Sequence, residues 1–257
     1  MTSLKNTKAK RVVRYQESVI SYLDILGFKA LVATKPAGEI SRILRILKES
    51  VAPSERARKN LHFRIQHFSD LAVRVLPVLP GGGGDLFFEL LNLVHVQTSL
   101  IQSNIFIRGG ITFGEIVRSW GLLYGPGLVR AYQLEQQAEY PRIIVDPTVL
   151  GNLRSLPKLR NTDHDFKTEM KYINQLIAKD SDGKCFVDYL RAIETEFDYP
   201  EVGYPNFLEL HRDQIVSGLN RFRLDRRILS KFRWLKHYHN ATVRKRFPES
   251  TAKRYLI

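Results

Sequence analysis

Ser21-Tyr22-Leu23-Asp24-Ile25-Leu26-Gly27-Phe28-Lys29 is an apolar run broken by one carboxylate and followed by a glycine. A second such run, Ile65-Gln66-His67-Phe68-Ser69-Asp70-Leu71-Ala72-Val73, is also broken by one acid. A charge inside a buried strand is costly unless something pairs with it. Each aspartate alone reads as a strand-end cap or turn former. Two in one domain point to carboxylates brought together around a divalent cation.

Working outward, residues 17–26 read as a strand, rich in β-branched, aromatic and aliphatic side chains. Ile40, Ile43, Leu44 and Leu47 recur at helical spacing. Residues 62–68 and 71–78 read as a hairpin with Ser69-Asp70 at its tip. Pro77, Pro80 and Gly81–Gly84 read as a linker, because the glycine run lacks the Gly-Lys-Ser/Thr ending of a phosphate-binding loop. Residues 85–103 read as an amphipathic helix through Leu86, Leu90, Leu93, Val94, Gln97 and Leu100. A glycine-bearing strand over 105–114, a helix over 127–138 and a strand over 142–146 follow. The expected fold is α+β: a ferredoxin-like βαββαβ core, with helices on one face of a mainly antiparallel sheet. Residues 1–14 read as a basic arm, 15–150 as the core, and 151–257 as a mostly helical extension packed on it. That extension carries a short strand near 185–189 and helices around 206–220 and 224–242.

Composition bounds the function. The chain has 257 residues, 44% hydrophobic and 26% charged, with a net charge of +14. No apolar run approaches the ~20 residues needed to span a bilayer, so no membrane insertion is expected. The first 15 residues are polar and basic, unlike a secretory signal. A single cysteine, Cys185, leaves no internal disulfide or cysteine metal cluster. The expected location is the cytoplasm. The excess of cations favours polyanions. Arg221, Arg223, Arg226, Arg227, Lys231, Arg233 and Lys236 crowd one late segment, which reads as a solvated helical face or as a nucleic-acid surface. The second reading leaves both aspartates unexplained. The spacing of His62, His67, His237 and His239 does not suit joint metal ligation.

Mg²⁺ and Mn²⁺ prefer oxygen ligands, usually one or two carboxylates plus phosphates. The turn from Ile25 through Gly27 to Phe28 is suited to present backbone N–H groups to phosphate.

On these residues the chain resembles the class III nucleotide cyclases. Tyr22–Phe28 is similar to their first metal motif and Phe68-Ser69-Asp70 to the second. Ile107–Gly114 is similar to the strand that follows, and Gly125–Glu135 to the helix bearing their transition-state residues. The resemblance spans about 19–145. It implies two Mn²⁺ or Mg²⁺ ions held by Asp24, Asp70 and the Ile25 carbonyl. The departures matter as much. The family's Asn and Arg positions on that helix hold Val129 and Gln133. The purine-reading Lys and its acid partner align with Gln66 and Leu122.

That combination resembles the bacterial pyrimidine nucleotide cyclases of the Pycsar anti-phage systems. The segments Ala131–Ile143 and Trp234–Asn240 are typical of them. The resemblance implies conversion of UTP or CTP to its 3′,5′-cyclic monophosphate in a homodimer with interface active sites. The product would act on a separate effector, and no stable nucleic-acid partner is expected. Arg130 is the nearest candidate to replace the missing arginine. Gly27, Phe28, Arg64, Gln66 and Arg108 are candidate substrate contacts. Two alternatives remain: a degenerate cyclase domain that binds nucleotide without turnover, and a basic nucleic-acid-binding module.

Overall fold

The computed structural model describes residues 13–53, 63–79, 83–119 and 121–257. The basic arm up to residue 12, His62 and the linker residues 80–82 lie outside them. The chain begins with β1 (Gln16–Ile25), α1 (Phe28–Thr34) and α2 (Ala37–Ser50). The hairpin β2 (Arg64–Phe68) and β3 (Leu71–Pro77) leads to α3 (Asp85–Gln102) and the long strand β4 (Ile107–Ser119). Short β5 (Leu122–Tyr124) pairs back on β4, and α4 (Pro126–Ala138) precedes β6 (Ile143–Val145). Next come α5 (Pro147–Asn152), α6 (Phe166–Leu176), β7 (Ile177–Lys179) and β8 (Cys185–Val187). The chain closes with α7 (Tyr189–Ala192), α8 (Pro200–Arg221), α9 (Arg226–Arg246) and α10 (Glu249–Ala252).

The strands lie in the order β2-β3-β1-β4-β6-β8-β7. The first four make the expected antiparallel βαββαβ core, with β6 added parallel to β4. The sheet then continues into β8 and β7, two strands from beyond residue 150.

β1 is central and buried on both faces, so it reads as a nearly continuous apolar run. Its odd residues Val19, Leu23 and Ile25 join the main core under α3. Leu86, Leu90, Leu93 and Val94 of α3 are fully buried in the same core. The even residues Ile20, Tyr22 and Asp24 face the other way, toward α4. That helix lies directly on β4. A Cβ on Gly110 would stand 2.3 Å from Leu134 Cβ, and one on Gly114 would stand 2.9 Å from Gly127 Cα. The glycines in the strand are therefore a seat for the helix.

One buried ion pair ties the core layers together. Arg74 of β3 donates to both carboxylate oxygens of Glu89 on α3, at 2.8 and 2.9 Å. Ser21 donates to the same carboxylate at 2.7 Å. Arg74 also donates to the Val51 carbonyl and lies under the Phe63 ring.

The extension is docked by the two late sequence segments. Trp234 stacks on Tyr140 at 5.7 Å with a 5° interplanar angle, and its indole N–H donates to Asp180 at 2.7 Å. Buried Arg142 reaches Asp180 and Asp182. These segments therefore serve packing.

A buried chain of donors joins α8, α9 and the C-terminal residues. Tyr189 Oη lies 2.9 Å from His211 Nε2, His211 Nδ1 lies 3.0 Å from His239 Nδ1, and His239 Nε2 lies 2.9 Å from the Tyr255 carbonyl. The carbonyl can only accept, so His239 carries its proton on Nε2. Neutral His239 then accepts from His211, and His211 accepts from Tyr189. A proton added to His239 would set its Nδ1–H against the Nδ1–H of His211, and one added to His211 would turn its Nε2 from acceptor to donor toward the Tyr189 hydroxyl. Burial holds His211 well below the usual histidine range, helped by His239, and burial lowers His239 as well.

In the unfolded chain both histidines take up protons near pH 6.5. Stability present at pH 7.5 should therefore be lost as the pH falls through that value, by up to ~1.4 kcal/mol per pH unit per proton. Urea midpoints at pH 7.5 and 5.5 check this. The drop should shrink in His211→Gln, and equal drops in both proteins would contradict it.

Candidate active site

Asp24 is the penultimate residue of β1, paired with Leu71 on one side and Arg108 on the other. Asp70 occupies the hairpin tip beside it. Ser69 takes the left-handed conformation (φ 54°) that the two-residue turn requires, and the Asp70 carbonyl accepts from Ile25 N–H at 3.3 Å. The hairpin tip is thus pinned to the end of β1, and the two aspartates share one corner of the sheet.

Arg108, at the start of β4, spans this corner. Its Nε lies 3.2 Å from Asp24 Oδ2 and 2.6 Å from Glu135 Oε1. Glu135 belongs to α4 and is 1% exposed. Two carboxylates therefore meet one guanidinium, and Asp70 is near enough for its charge to act on both of them. Burial and then the charge of Glu135 push Asp24 up to about 6, against the pull of Arg108, with Asp70 adding to the rise. Glu135 is itself raised, first by burial and also by Asp70. Burial and the same carboxylates raise Tyr22, whose ring meets Tyr132 edge-on at 5.6 Å. This surplus of negative charge on oxygen ligands fits a hard divalent cation. Among the described residues no group of three or more His, Cys, Asp or Glu is placed so as to hold a metal ion by itself. An ion here would need further oxygens, such as those of phosphates.

The other candidates divide. Gly27 has φ 76°, a left-handed conformation that lets the chain leave β1 and enter α1. The Phe28 side chain is buried in the core, and the Ile25 side chain likewise, leaving their backbone groups for any contact with ligand. Arg64 and Gln66 are exposed on β2, in register through Val75 and Val73 with Ile20 and Tyr22. They therefore share the Asp24 face, two strands away. Arg64 also donates to the Phe63 carbonyl at 2.8 Å.

Arg130 is not brought to this corner within the chain. Its guanidinium makes two bonds to Asp146, at 2.7 and 2.9 Å. Thr112 donates to the same carboxylate at 2.8 Å, and the Thr148 N–H caps it. Burial alone would raise Asp146, but these hydrogen bonds hold it below the usual carboxylate range. Thr112 is four residues along β4 from Arg108, or ~13 Å at the rise of a strand. Val129 and Gln133 are exposed on α4.

Glu135 escaped the sequence reading although a signal existed. Ala131, Leu134, Glu135 and Ala138 follow the spacing of one buried helix face, and Glu135 is the acid among them.

No family model matches the chain, and no curated protein does. Solved structures similar to it include the adenylyl cyclase CyaB from P. aeruginosa, at 17% identity and TM-score 0.47, covering 57% of this chain and 84% of that one. A second is the monomeric guanylyl cyclase domain of the RhoGC fusion protein from the aquatic fungus Blastocladiella emersonii. It has 12% identity and TM-score 0.45, covering 68% of this chain and 96% of that one. A third is the guanylyl cyclase Cya2, at 17% identity and TM-score 0.44, covering 69% and 92%.

Proposed function

We propose that this chain is a metal-dependent pyrimidine nucleotide cyclase, converting UTP or CTP to the 3′,5′-cyclic monophosphate and pyrophosphate. The observation that carries the reading is the meeting of Asp24 and Glu135 on Arg108 at one sheet corner, to which the Asp70 hairpin tip is pinned through its backbone. The motif resemblance supports the reaction class. Gln66 and Leu122, where the resembled family reads a purine, support a pyrimidine base.

Asp24, Asp70 and the Ile25 carbonyl would hold two Mn²⁺ or Mg²⁺ ions. Such ions, when bound, acidify the ribose 3′-hydroxyl and offset triphosphate charge. Asp24 and Asp70 fix the geometry, and Glu135 keeps Arg108 beside the phosphates. Arg64 and Gln66 face the same side and are the candidates to read the base edge. Arg130, engaged by Asp146, positions α4 against β6 in its own chain. Catalysis then rests on positioning and charge neutralisation.

Two copies of the chain would pair over this face. Val129 and Tyr132 of α4, Leu122 of β5 and Phe68 beside Asp70 are 55%, 45%, 60% and 77% exposed. A second copy would cover exposed apolar groups of this kind. By the same resemblance, the cyclic product serves as a second messenger in anti-phage defence.

Incubation with each of the four NTPs and Mn²⁺, followed by mass analysis, tests the reading. Cyclic UMP or cyclic CMP is expected. A purine cyclic nucleotide as the main product would contradict the base assignment. Tight binding with no product would favour the nucleotide-binding alternative, which the uncharged Val129 and Gln133 support.

A further inference from the structure

Helix α9 reaches the carboxylate corner from a distant part of the chain. Phe232 meets Phe106 edge-on at 5.9 Å, and the Phe106 carbonyl accepts from Leu26 N–H at 2.8 Å. Two residues later Trp234 stacks on Tyr140. Beside these anchors, Lys231 Nζ donates to the carbonyl of Glu139 at 2.5 Å. Glu139 follows the last residue of α4 and stands at φ 51°, a strained conformation for a side-chain-bearing residue. It lies one turn beyond Glu135, which holds Arg108.

Lys231 is half-buried and forms no ion pair among the described residues. Its ammonium has three donors, and the Glu139 carbonyl uses one. Burial lowers its pKa first and the Arg108 guanidinium lowers it further, against an upward pull from the Glu139 carboxylate. The Glu139 contact thus brings Lys231 to the end of the helix whose Glu135 holds Arg108, and the two cations repel. An arriving polyanion relieves that repulsion.

We propose that Lys231 is a phosphate-binding residue of this site, acting with Arg108 on the outer phosphates of the substrate. This rests on the nucleotide reading above. It supplies from the C-terminal extension a cation that Val129 and Gln133 do not provide on α4.

The experiment pairs calorimetric binding of inorganic tripolyphosphate in Mn²⁺ with turnover of UTP and CTP, on the full chain and on Lys231→Gln and Lys231→Arg. Glutamine keeps an N–H donor for the Glu139 carbonyl while removing the charge. Lys231→Gln should weaken tripolyphosphate binding roughly 10- to 100-fold. It should raise KM for the nucleotide by a similar factor with a smaller change in kcat. The thermal midpoint should hold, and Lys231→Arg should recover most of the loss. Unchanged tripolyphosphate affinity in Lys231→Gln overturns the assignment, as does a wild-type chain that binds no tripolyphosphate. Binding that depends on Lys231 in a chain that cyclises no nucleotide would sustain this inference and sink the cyclase reading.

Discussion

Asp70→Asn is expected to abolish cyclic nucleotide formation, with a loss of roughly 10³-fold or more at saturating Mn²⁺, while the protein stays folded. On the proposed reading the size follows from removing one of two carboxylates that would hold a metal contributing several kcal/mol to the transition state, at a factor of ten per 1.36 kcal/mol. The fold is spared because the contact between the hairpin tip and β1 is made by backbone groups, the Asp70 carbonyl and the Ile25 N–H. Asparagine also retains the turn preference of aspartate. Product formation by mass analysis, with circular dichroism as the folding control, is the check. A variant with more than about a tenth of wild-type activity would contradict the role given to this side chain.

Arg74→Met is expected to cost about 3–5 kcal/mol of stability, a large fraction of what holds a domain folded. Arg74 and Glu89 are each 1% exposed, so losing the guanidinium strands a carboxylate in the core with Ser21 as its remaining side-chain donor. The Val51 carbonyl loses its partner in the same step. The double variant Arg74→Met/Glu89→Leu should recover most of the loss, because a pair replaced by apolar groups of similar size leaves no buried charge behind. Urea unfolding of the three proteins measures both effects. A single variant within about 1 kcal/mol of wild type, or a double variant no better than the single one, would contradict this.

Much of the core was legible because its elements carry strong local patterns. The two apolar runs around Asp24 and Asp70 became β1 and the β2–β3 hairpin, and the leucine stripe from Leu86 to Leu100 became α3. The helices expected around 206–220 and 224–242 are α8 and α9; α8 starts earlier, at Pro200, and carries Pro205 within it, while α9 runs on through Arg244, Lys245 and Arg246. β7 and α5 carry no legible signal, since elements of three and six residues have too little periodicity.

Within the site, the aspartates stood out as charges in apolar runs, and Arg108 stood out beside glycines that proved to seat α4. Glu135 was masked by belonging to the helix stripe itself. Asp146 hid at the end of a strand, and its carboxylate holds Arg130 away from the corner of Asp24 and Asp70. Lys231 could not be found from the sequence at all. It reads as one cation in a basic run, and its place at the end of α4 depends on the docking of Phe232 and Trp234 on residues more than 90 positions earlier.

The central claim is that Asp24 and Asp70 jointly hold divalent metal against a triphosphate. Anomalous diffraction at the manganese edge, from crystals grown with Mn²⁺ and a non-cyclising UTP or CTP analogue, tests it most directly. The expected result is manganese density between the two carboxylates and in contact with the phosphates, absent in Asp24→Asn. Density elsewhere, or nucleotide bound with no metal at either aspartate, would contradict it.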